Sequence, residues 1–254
     1  MDPLTALHAS VARLDAIVGG FDADGIRAQA YPTEWSVADV LGHLGSAAVI
    51  NQARLDAVLA GTDLADDFPQ RVWDEWNAKD PDAKATDGLR ADRACLDQME
   101  SLSDADRARV QYSLGPMTVD FARHVQLRLN EHALHTWDIE VVLDPNATLP
   151  TDAAAFIVDQ LGMLAQWTGK PTGIEHDVQV HTVDPTRDFT IALGADRVAL
   201  TPYEPTVSNR DVPNLLIPAE AFVRLVYGRL DPAHTPAVRG DADLDELRRA
   251  FPGV

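Results

Sequence analysis

The chain has 254 residues, of which 46% are hydrophobic and 24% charged, so the composition excludes a disordered or fibrous protein and allows a sizeable core. Acidic residues number 40 against 21 lysines and arginines, and the formal charge of −19 argues against nucleic acid or an anionic membrane as a partner. The single cysteine, Cys95, excludes an internal disulfide and a metal site built from several cysteines.

The first part of the chain has the apolar spacing of amphipathic helices. Apolar residues recur at intervals of three and four over residues 4–17, and two glycines then stop the run. A second helix is predicted to begin at Ser36, because Ser36 and Asp39 have the spacing of a capping box and Trp35 precedes them as a hydrophobic staple. This helix is predicted to end at Gly61.

Further helices follow in the N-terminal part. The polar segment 63–84 contains prolines and tryptophans and is predicted to be a long loop or a short helix over a cleft. Helices are then predicted over about 82–101, from just after Gly115-Pro116 to about residue 142, and over 151–167. Four or five amphipathic helices of these lengths favour an antiparallel bundle.

The hydrophobic period changes from helical to alternating after residue 171. Strands are predicted near 178–182, 189–193, 197–201 and 215–217, followed by helices from residue 218 and over 244–251. The sequence therefore predicts a helical bundle over residues 1–168 and a smaller α+β domain over residues 175–254, with a boundary between Thr168 and Glu175.

The N-terminus has neither the basic nor the apolar segment of a signal peptide, and no run approaches the roughly 18 apolar residues that span a bilayer. We therefore expect a cytoplasmic protein without a membrane partner. The sequence leaves a monomer and a homodimer equally open.

Candidate metal ligands lie close together in the helix that is predicted to follow Gly115-Pro116. Glu131 and His135 are separated by four residues, which places them on one face of a helix and within reach of one ion. His132 and His135, three residues apart, form a competing pair. The order of these residues differs from the zincin signature HExxH. A hydrogen bond at the surface is the alternative interpretation of the Glu131–His135 pair.

His43 is the third candidate, at the edge of an otherwise apolar helix face. A buried imidazole needs a partner, since an unsatisfied nitrogen costs on the order of 1–3 kcal/mol. That partner is either a backbone carbonyl or a metal ion. With a metal, His43, Glu131 and His135 form a set of two histidines and one glutamate, which leaves a fourth position open as in catalytic zinc sites.

Two stretches of the sequence resemble a known family. The segment Trp-Ser-Val-Ala-Asp-Val-Leu-Gly-His-Leu at 35–44, followed by Arg-x-x-Glu-x-x-x-His-x-Trp-Asp at 128–138, is similar to the mycothiol-dependent maleylpyruvate isomerase family of the DinB-type metal-binding bundle superfamily. Members often carry a C-terminal domain that resembles sterol carrier proteins, and the stretch from about Asp177 is similar to it, with residues 218–229 as its signature helix.

The resemblance implies a metal site and a thiol cosubstrate. The family's ligands, a histidine of the second helix and a glutamate and a histidine of the fourth, fall on His43, Glu131 and His135, and the usual metal is zinc. The thiol is mycothiol, which attacks a small electrophile. The sequence departs from the family at residues 31–35, which read Tyr-Pro-Thr-Glu-Trp where the family commonly has Cys-Pro-Gly or Pro-Gly before the tryptophan. This difference is expected to change the loop at the mouth of the cleft, and with it the choice of substrate.

Other residues are candidates for supporting roles. Asp138 is placed to accept a hydrogen bond from a ligand histidine or to act as a surface aspartate. Arg128 is predicted to pair with the Glu131 carboxylate, chiefly in a structural role. His124 is either a base near the metal or, by preference, a bundle histidine with its own hydrogen bond. Arginines that an acidic chain could offer to a dicarboxylate are Arg123, Arg224 and Arg229.

Several residues are predicted to have no chemical role. Cys95 has no basic neighbour in the sequence and is interpreted as a buried filler. Ser46 and Ser113 belong to no nucleophile motif. The tryptophans at 73, 76 and 137 either line a cleft or pack the bundle.

Three functions are consistent with the sequence. The first is a zinc-dependent, mycothiol-using isomerase or thiol S-transferase that acts on a small electrophile. The second is a metal-dependent hydrolase on the same bundle, with water in place of the thiol. The third is a non-catalytic protein that binds a metal or an apolar ligand.

Overall fold

The structure, a computed structural model, describes residues 2–203 and 212–253. The chain forms two compact units, Met1–Ala147 and Thr148–Val254. None of the helices in the described residues is both long enough and apolar enough to span a membrane.

The first unit is helical apart from one short hairpin. Its elements are α1 (Pro3–Val18), α2 (Ala23–Arg27), α3 (Val37–Ala60), α4 (Phe68–Asn77), α5 (Pro81–Ser101), α6 (Asp104–Arg109), β1 (Gln111–Leu114), β2 (Met117–Asp120) and α7 (Phe121–Leu143). The four long helices α1, α3, α5 and α7 form a closed bundle, in which α3 packs on α5 and α7, and α1 packs on α7 and α5. The expected helical bundle is therefore confirmed.

Local signals explain where α3 begins and ends. The Ser36 hydroxyl accepts a hydrogen bond from the Asp39 N–H (3.2 Å), and the Asp39 carboxylate accepts one from the Ser36 N–H (3.0 Å), so the predicted capping box is confirmed. Gly61 ends the helix with a φ of 68°, a left-handed conformation that favours glycine. Both ends of the helix that carries His43 are thus fixed by the sequence around them.

The contact between α3 and α5 depends on two glycines. A Cβ at Gly45 would lie 2.7 Å from the Gly88 Cα, and a Cβ at Gly88 would lie 2.5 Å from the Leu41 carbonyl oxygen. Both distances are shorter than real carbon contacts allow, so the two helix backbones approach closely only because neither position has a side chain.

The structure corrects the predicted start of α7. The predicted helix begins directly after Gly115-Pro116, whereas β1 and β2 form a hairpin there and α7 begins at Phe121. Gly115 lies in the turn with a φ of 57°, and Asp120 caps α7 by accepting from the Arg123 N–H (2.8 Å). The Gly-Pro pair therefore marks a hairpin turn and not a helix start. For the segment 63–84, a long loop and a short helix were the two predicted structures, and the short helix is present as α4.

The second unit has a mixed sheet covered by helices. Its elements are α8 (Thr151–Val158), α9 (Leu161–Thr168), β3 (His176–Val183), β4 (Arg187–Leu193), β5 (Val198–Pro202), β6 (Asn214–Pro218), α10 (Ala219–Val226), a 3-10 turn (Pro232–His234), β7 (Arg239–Gly240) and α11 (Leu244–Ala250). The strand order is β5-β4-β3-β6-β7, with β3 and β6 parallel and the other pairs antiparallel. The expected α+β part is confirmed.

The prediction of a single helix over 151–167 is wrong, because this segment forms two helices, α8 and α9, that are separated at residues 159–160. The two halves have different partners: α8 packs on α10, and α9 packs on β5, where Gly162 lies against the Leu200 carbonyl. Both helices accordingly belong to the second unit, whereas the predicted bundle over residues 1–168 includes them. Long-range packing, which the helical period does not encode, explains the difference.

Candidate metal centre

Three predicted ligands lie together between α3 and α7. The His43 Nε2 is 3.5 Å from the Glu131 Oε2, and the His135 Nε2 is 3.6 Å from the same oxygen. One ligand atom from each of the three residues lies within 4.8 Å of the others. The packing of α3 on α7 thus brings His43 to the i, i+4 pair that the sequence indicated.

These separations fit the ligand set of a metal ion. Two ligand atoms that each lie about 2.0–2.1 Å from one tetrahedral zinc ion are about 3.3–3.4 Å apart. The observed separations of 3.5 and 3.6 Å are close to that value, and no two of the three ligand atoms are more than 4.8 Å apart. Imidazole nitrogens and a carboxylate oxygen are also donors that zinc accepts. The residues therefore fit a divalent metal such as zinc.

The His135 imidazole is oriented by Asp138. Its Nδ1 donates to the Asp138 Oδ2 at 2.8 Å, and the Asp138 side chain is fully buried. A carboxylate on Nδ1 fixes the tautomer in which Nε2 carries the lone pair, as is common for histidine ligands. Of the two roles weighed for Asp138, hydrogen bonding to the candidate ligand is the one that the structure supports.

Trp35 covers both imidazoles. Its ring centroid lies 5.1 Å from that of His43 and 5.9 Å from that of His135, to which it is nearly parallel. The segment before it is held by hydrogen bonds from the Gln29 side chain to the carbonyls of Pro32 (2.8 Å) and Trp35 (2.7 Å). The sequence indicated Trp35 as a helix staple and as part of the family motif, but its contact with the two imidazoles was not predicted.

The carboxylate of the site is held ionised. Removal of water by the surrounding atoms raises the pKa of Glu131, but the hydrogen bonds and charges of His135 and His43 outweigh that effect and keep the pKa below its usual range. The Glu131 side chain is nevertheless 51% exposed, so one side of the donor set is open to solvent. A small molecule could reach a metal ion from that side.

His132, the competing candidate, points away from the donor set. Its side chain is fully buried, with the Nε2 3.5 Å from the Asp92 Oδ2 and the Nδ1 2.8 Å from the Ser10 hydroxyl. Burial lowers the pKa of His132, and Asp92 only partly opposes this shift. The His132–His135 pair that the sequence allowed is therefore not brought together.

Arg128 has a different partner from the one predicted. Its guanidinium pairs with the buried Asp92 carboxylate and donates to the Leu44 carbonyl at 3.1 Å, instead of pairing with Glu131. Burial opposes ionisation of Asp92, but the charges of Arg128 and His132 outweigh it and hold the Asp92 pKa below its usual value. Arg128 lies one turn before Glu131, and Leu44 follows His43, so this network ties the two ligand-bearing segments together.

The remaining candidates do not join the donor set. His124 is fully buried and its Nδ1 lies 2.9 Å from the Tyr112 hydroxyl, which is the bundle role preferred for it. Burial raises the pKa of Cys95 to about 11, so this thiol is not a nucleophile at neutral pH. Arg123 contacts the Met117 sulfur, Arg224 is buried against Glu220, and Arg229 donates to the Tyr227 carbonyl.

The fold and the donor set define a class: helical bundles with two histidines and one carboxylate placed for a single divalent metal ion. The family model described as the mycothiol maleylpyruvate isomerase N-terminal domain matches residues 7–140. The chain belongs to this family, and the resemblance found in the sequence is confirmed.

Two solved structures share the fold. The mycothiol-dependent maleylpyruvate isomerase matches with a TM-score of 0.65 and 13% identity, covering 89% of this chain and 88% of that chain. A histidine-to-alanine variant of that enzyme matches with a TM-score of 0.66 and 12% identity over the same shares. Sequence comparison with curated proteins gives no match. At this level of identity the likeness establishes the fold, and the activity needs its own argument.

Proposed function

We propose that the protein is a zinc-dependent enzyme that activates the thiol of mycothiol for attack on a small electrophile, as an isomerase or a thiol S-transferase. The observation that carries the proposal is the placement of His43, Glu131 and His135, whose ligand atoms lie within 4.8 Å of one another on a solvent-accessible side of the bundle. Family membership supports the choice of thiol.

The residues of the chain have distinct tasks in this proposal. His43, Glu131 and His135 supply three ligands and leave a fourth position for a small molecule. Asp138 fixes the His135 ring, and the Trp35 indole limits the rotation of both imidazoles. Zinc at this position would lower the pKa of a bound thiol, so that the thiolate is present at neutral pH.

The attacking thiol must come from outside the chain. Cys95 is the only cysteine, and its side chain is buried with a pKa raised to about 11. A small soluble thiol therefore supplies the nucleophile, and the open side of Glu131 is where it enters. In an isomerase the thiol adds to the activated double bond, rotation takes place about the single bond that results, and elimination of the thiol restores the double bond. In a transferase the adduct takes up a proton and keeps the thiol. A reducing, cytosolic compartment suits this chemistry.

The first experiment measures metal content. We expect about one zinc ion per chain in the wild type, and its loss in His43→Ala and Glu131→Ala. His8→Ala is the matched control, because His8 is an exposed histidine that pairs with Glu100 on the surface. Full metal content in both ligand variants would show that the ligand set is wrong.

The second experiment separates a thiol-dependent enzyme from a hydrolase. The cobalt-substituted protein is titrated with mycothiol, and we expect a change in its visible absorption as sulfur enters the metal's coordination. Turnover of maleylpyruvate should then require mycothiol. Turnover of an ester or amide without any thiol would instead identify a hydrolase, and absence of both effects would indicate a binding protein.

A further inference from the structure

A cavity lies in the N-terminal unit, at the other end of α3 from His43. Its volume is about 770 Å³, within the range of small-molecule sites, and its walls come from the end of α3, the segment 61–66 and β1. Arg54 lines it, eleven residues beyond His43 and therefore on the same face of α3, about 16 Å further along the helix axis. The cavity shares no lining residue with the metal donor set.

Arg54 brings a positive charge to this cavity. Its guanidinium carbon lies 5.3 Å from the centre of the Tyr112 ring, a cation–π contact. Within residues 2–203 and 212–253, no carboxylate lies within ion-pair distance of Arg54. Arg27, Arg90 and Arg93, by contrast, each pair with a carboxylate. An arginine without a carboxylate partner that lines a cavity is a typical contact for an anionic ligand.

Tyr112 adds a hydroxyl group beside Arg54. Its oxygen is 2.9 Å from the Nδ1 of His124, which is fully buried. Burial lowers the pKa of His124 to about 4 and raises that of Tyr112, so both groups are uncharged at neutral pH. The Nε2 of His124 has no hydrogen-bond partner in the described chain. Since orphaned N–H groups are rarer than orphaned acceptors, we assign the proton to Nδ1. The phenol oxygen then accepts from His124 and its own O–H is available to a ligand.

The other charged groups of the lining limit the ligand to one negative charge. Arg109 also lines the cavity, but its guanidinium is paired with Asp106 at 3.2 Å and donates to the Leu59 carbonyl, so its charge is already balanced. Asp63 and Asp66 also line the cavity and are exposed, so a second negative charge on the ligand would be repelled. Val58, Leu64 and Pro69 offer apolar surface next to these polar groups. An apolar body with a single carboxylate matches this combination, whereas phosphate and dicarboxylates do not.

We propose that this cavity is a binding site for a small monocarboxylate with an apolar body, whose carboxylate contacts Arg54 and Tyr112. The site is independent of the metal centre and goes beyond the function proposed above. Its ligand is therefore expected to bind whether or not His43, Glu131 and His135 hold a metal ion.

The test uses para-fluorobenzoate as the probe and para-fluorobenzamide as its uncharged counterpart. Fluorine NMR and calorimetry should show saturable binding of the benzoate, about tenfold or more tighter than the amide. Arg54→Gln should weaken benzoate binding about tenfold or more, and Tyr112→Phe several-fold. Arg54→Lys keeps the charge and should retain part of the affinity. Thermal unfolding of each variant shows whether it remains folded.

Two controls separate this site from other effects. Arg90→Gln removes an equally charged but exposed side chain outside the cavity and should leave benzoate affinity unchanged. His43→Ala should also leave it unchanged, so failure of the metal proposal and failure of this one are distinguishable. Absence of saturable benzoate binding, equal affinity in Arg54→Gln, or tighter binding of inorganic phosphate would each overturn the proposal.

Discussion

Adjacent residues on α7 lie in opposite environments. The Glu131 side chain is 51% exposed and faces His43 and His135, whereas the His132 side chain is fully buried and faces Asp92. The roughly 100° between successive helix positions accounts for this separation. Two clusters that each combine histidine with a carboxylate thus share one stretch of helix.

The two clusters differ in how their charge is balanced. In the buried cluster Arg128 neutralises Asp92 within the protein. In the exposed cluster, by contrast, Glu131 forms no ion pair with a lysine or arginine anywhere in residues 2–203 and 212–253, and two imidazoles are its neighbours. A charge that the protein already balances is structural, and a carboxylate among imidazoles without such a balance is suited to a cation. The comparison predicts stability effects on one side of α7 and metal effects on the other.

The largest stability effect is expected from the buried cluster. Arg128→Met leaves the Asp92 carboxylate buried without its counter-charge, and breaking such a pair costs about 3–5 kcal/mol. Urea denaturation should show this loss in the free energy of unfolding, with metal removed by chelator. Glu131→Ala, on the exposed face, should change the same quantity by less than about 1 kcal/mol.

The double variant Asp92→Leu/Arg128→Met tests the cause. Replacing both charges by apolar side chains of similar size should recover most of the stability that Arg128→Met loses. Equal destabilisation in the single and double variants would mean that lost packing, not an unpaired charge, explains the effect.

Acid sensitivity is expected to come from buried histidines of the bundle. The pKa of His124 is lowered by burial to about 4 from an ordinary value of 6.5. As the pH falls, the unfolded chain therefore takes up a proton at this position before the folded chain does. The resulting stability is complete above pH 6.5 and is lost between 6.5 and about 4, a total of about 3 kcal/mol.

His124→Gln should remove that part of the pH dependence. Urea denaturation at a series of pH values would show a smaller slope in the variant over this window, whereas His8→Ala, which alters an exposed histidine, should keep the wild-type slope. An unchanged slope in His124→Gln would mean that His124 is not titrating differently in the two states.

Asp138 should affect metal binding more than stability. Asp138→Asn keeps the shape of the side chain but weakens its hold on the His135 Nδ1. Loss of such a partner commonly lowers metal affinity about 10–100-fold. Competition with a chelating dye measures this affinity, and Asp74→Asn, which alters an exposed aspartate on α4, is the control. Equal affinity in wild type and Asp138→Asn would exclude a positioning role.

The sequence predicted features that depend on neighbouring residues. The bounds of α3 follow from Ser36 and Gly61, and the shared face of Glu131 and His135 follows from helical geometry alone. His43 was found because an imidazole on an apolar face needs a partner. Each of these inferences uses residues within a few turns of one another.

Features that depend on distant residues were missed or wrong. Asp92 on α5 is the partner of Arg128, and no local pattern connects the two. The hairpin before α7 and the division between α8 and α9 are likewise fixed by what each segment packs against. Tertiary packing selects among partners that helical periodicity leaves equivalent, which is why the buried cluster was harder to predict than the exposed one.

The smallest effect is expected at the start of α3. Ser36→Ala removes the hydroxyl that accepts from the Asp39 N–H, and loss of such a cap costs about 1 kcal/mol. Asp39 keeps its ion pair with Lys84 at 2.7 Å, so the first turn retains a second anchor and metal affinity should stay at the wild-type value. Thermal unfolding and dye competition on one preparation check both statements. His43 lies two turns into α3, so its position should not depend on this cap. If Ser36→Ala lowered metal affinity as much as Asp138→Asn does, the donor set would depend on the folding of the helix end. Structural and metal-binding residues would then not be separable at this end of α3.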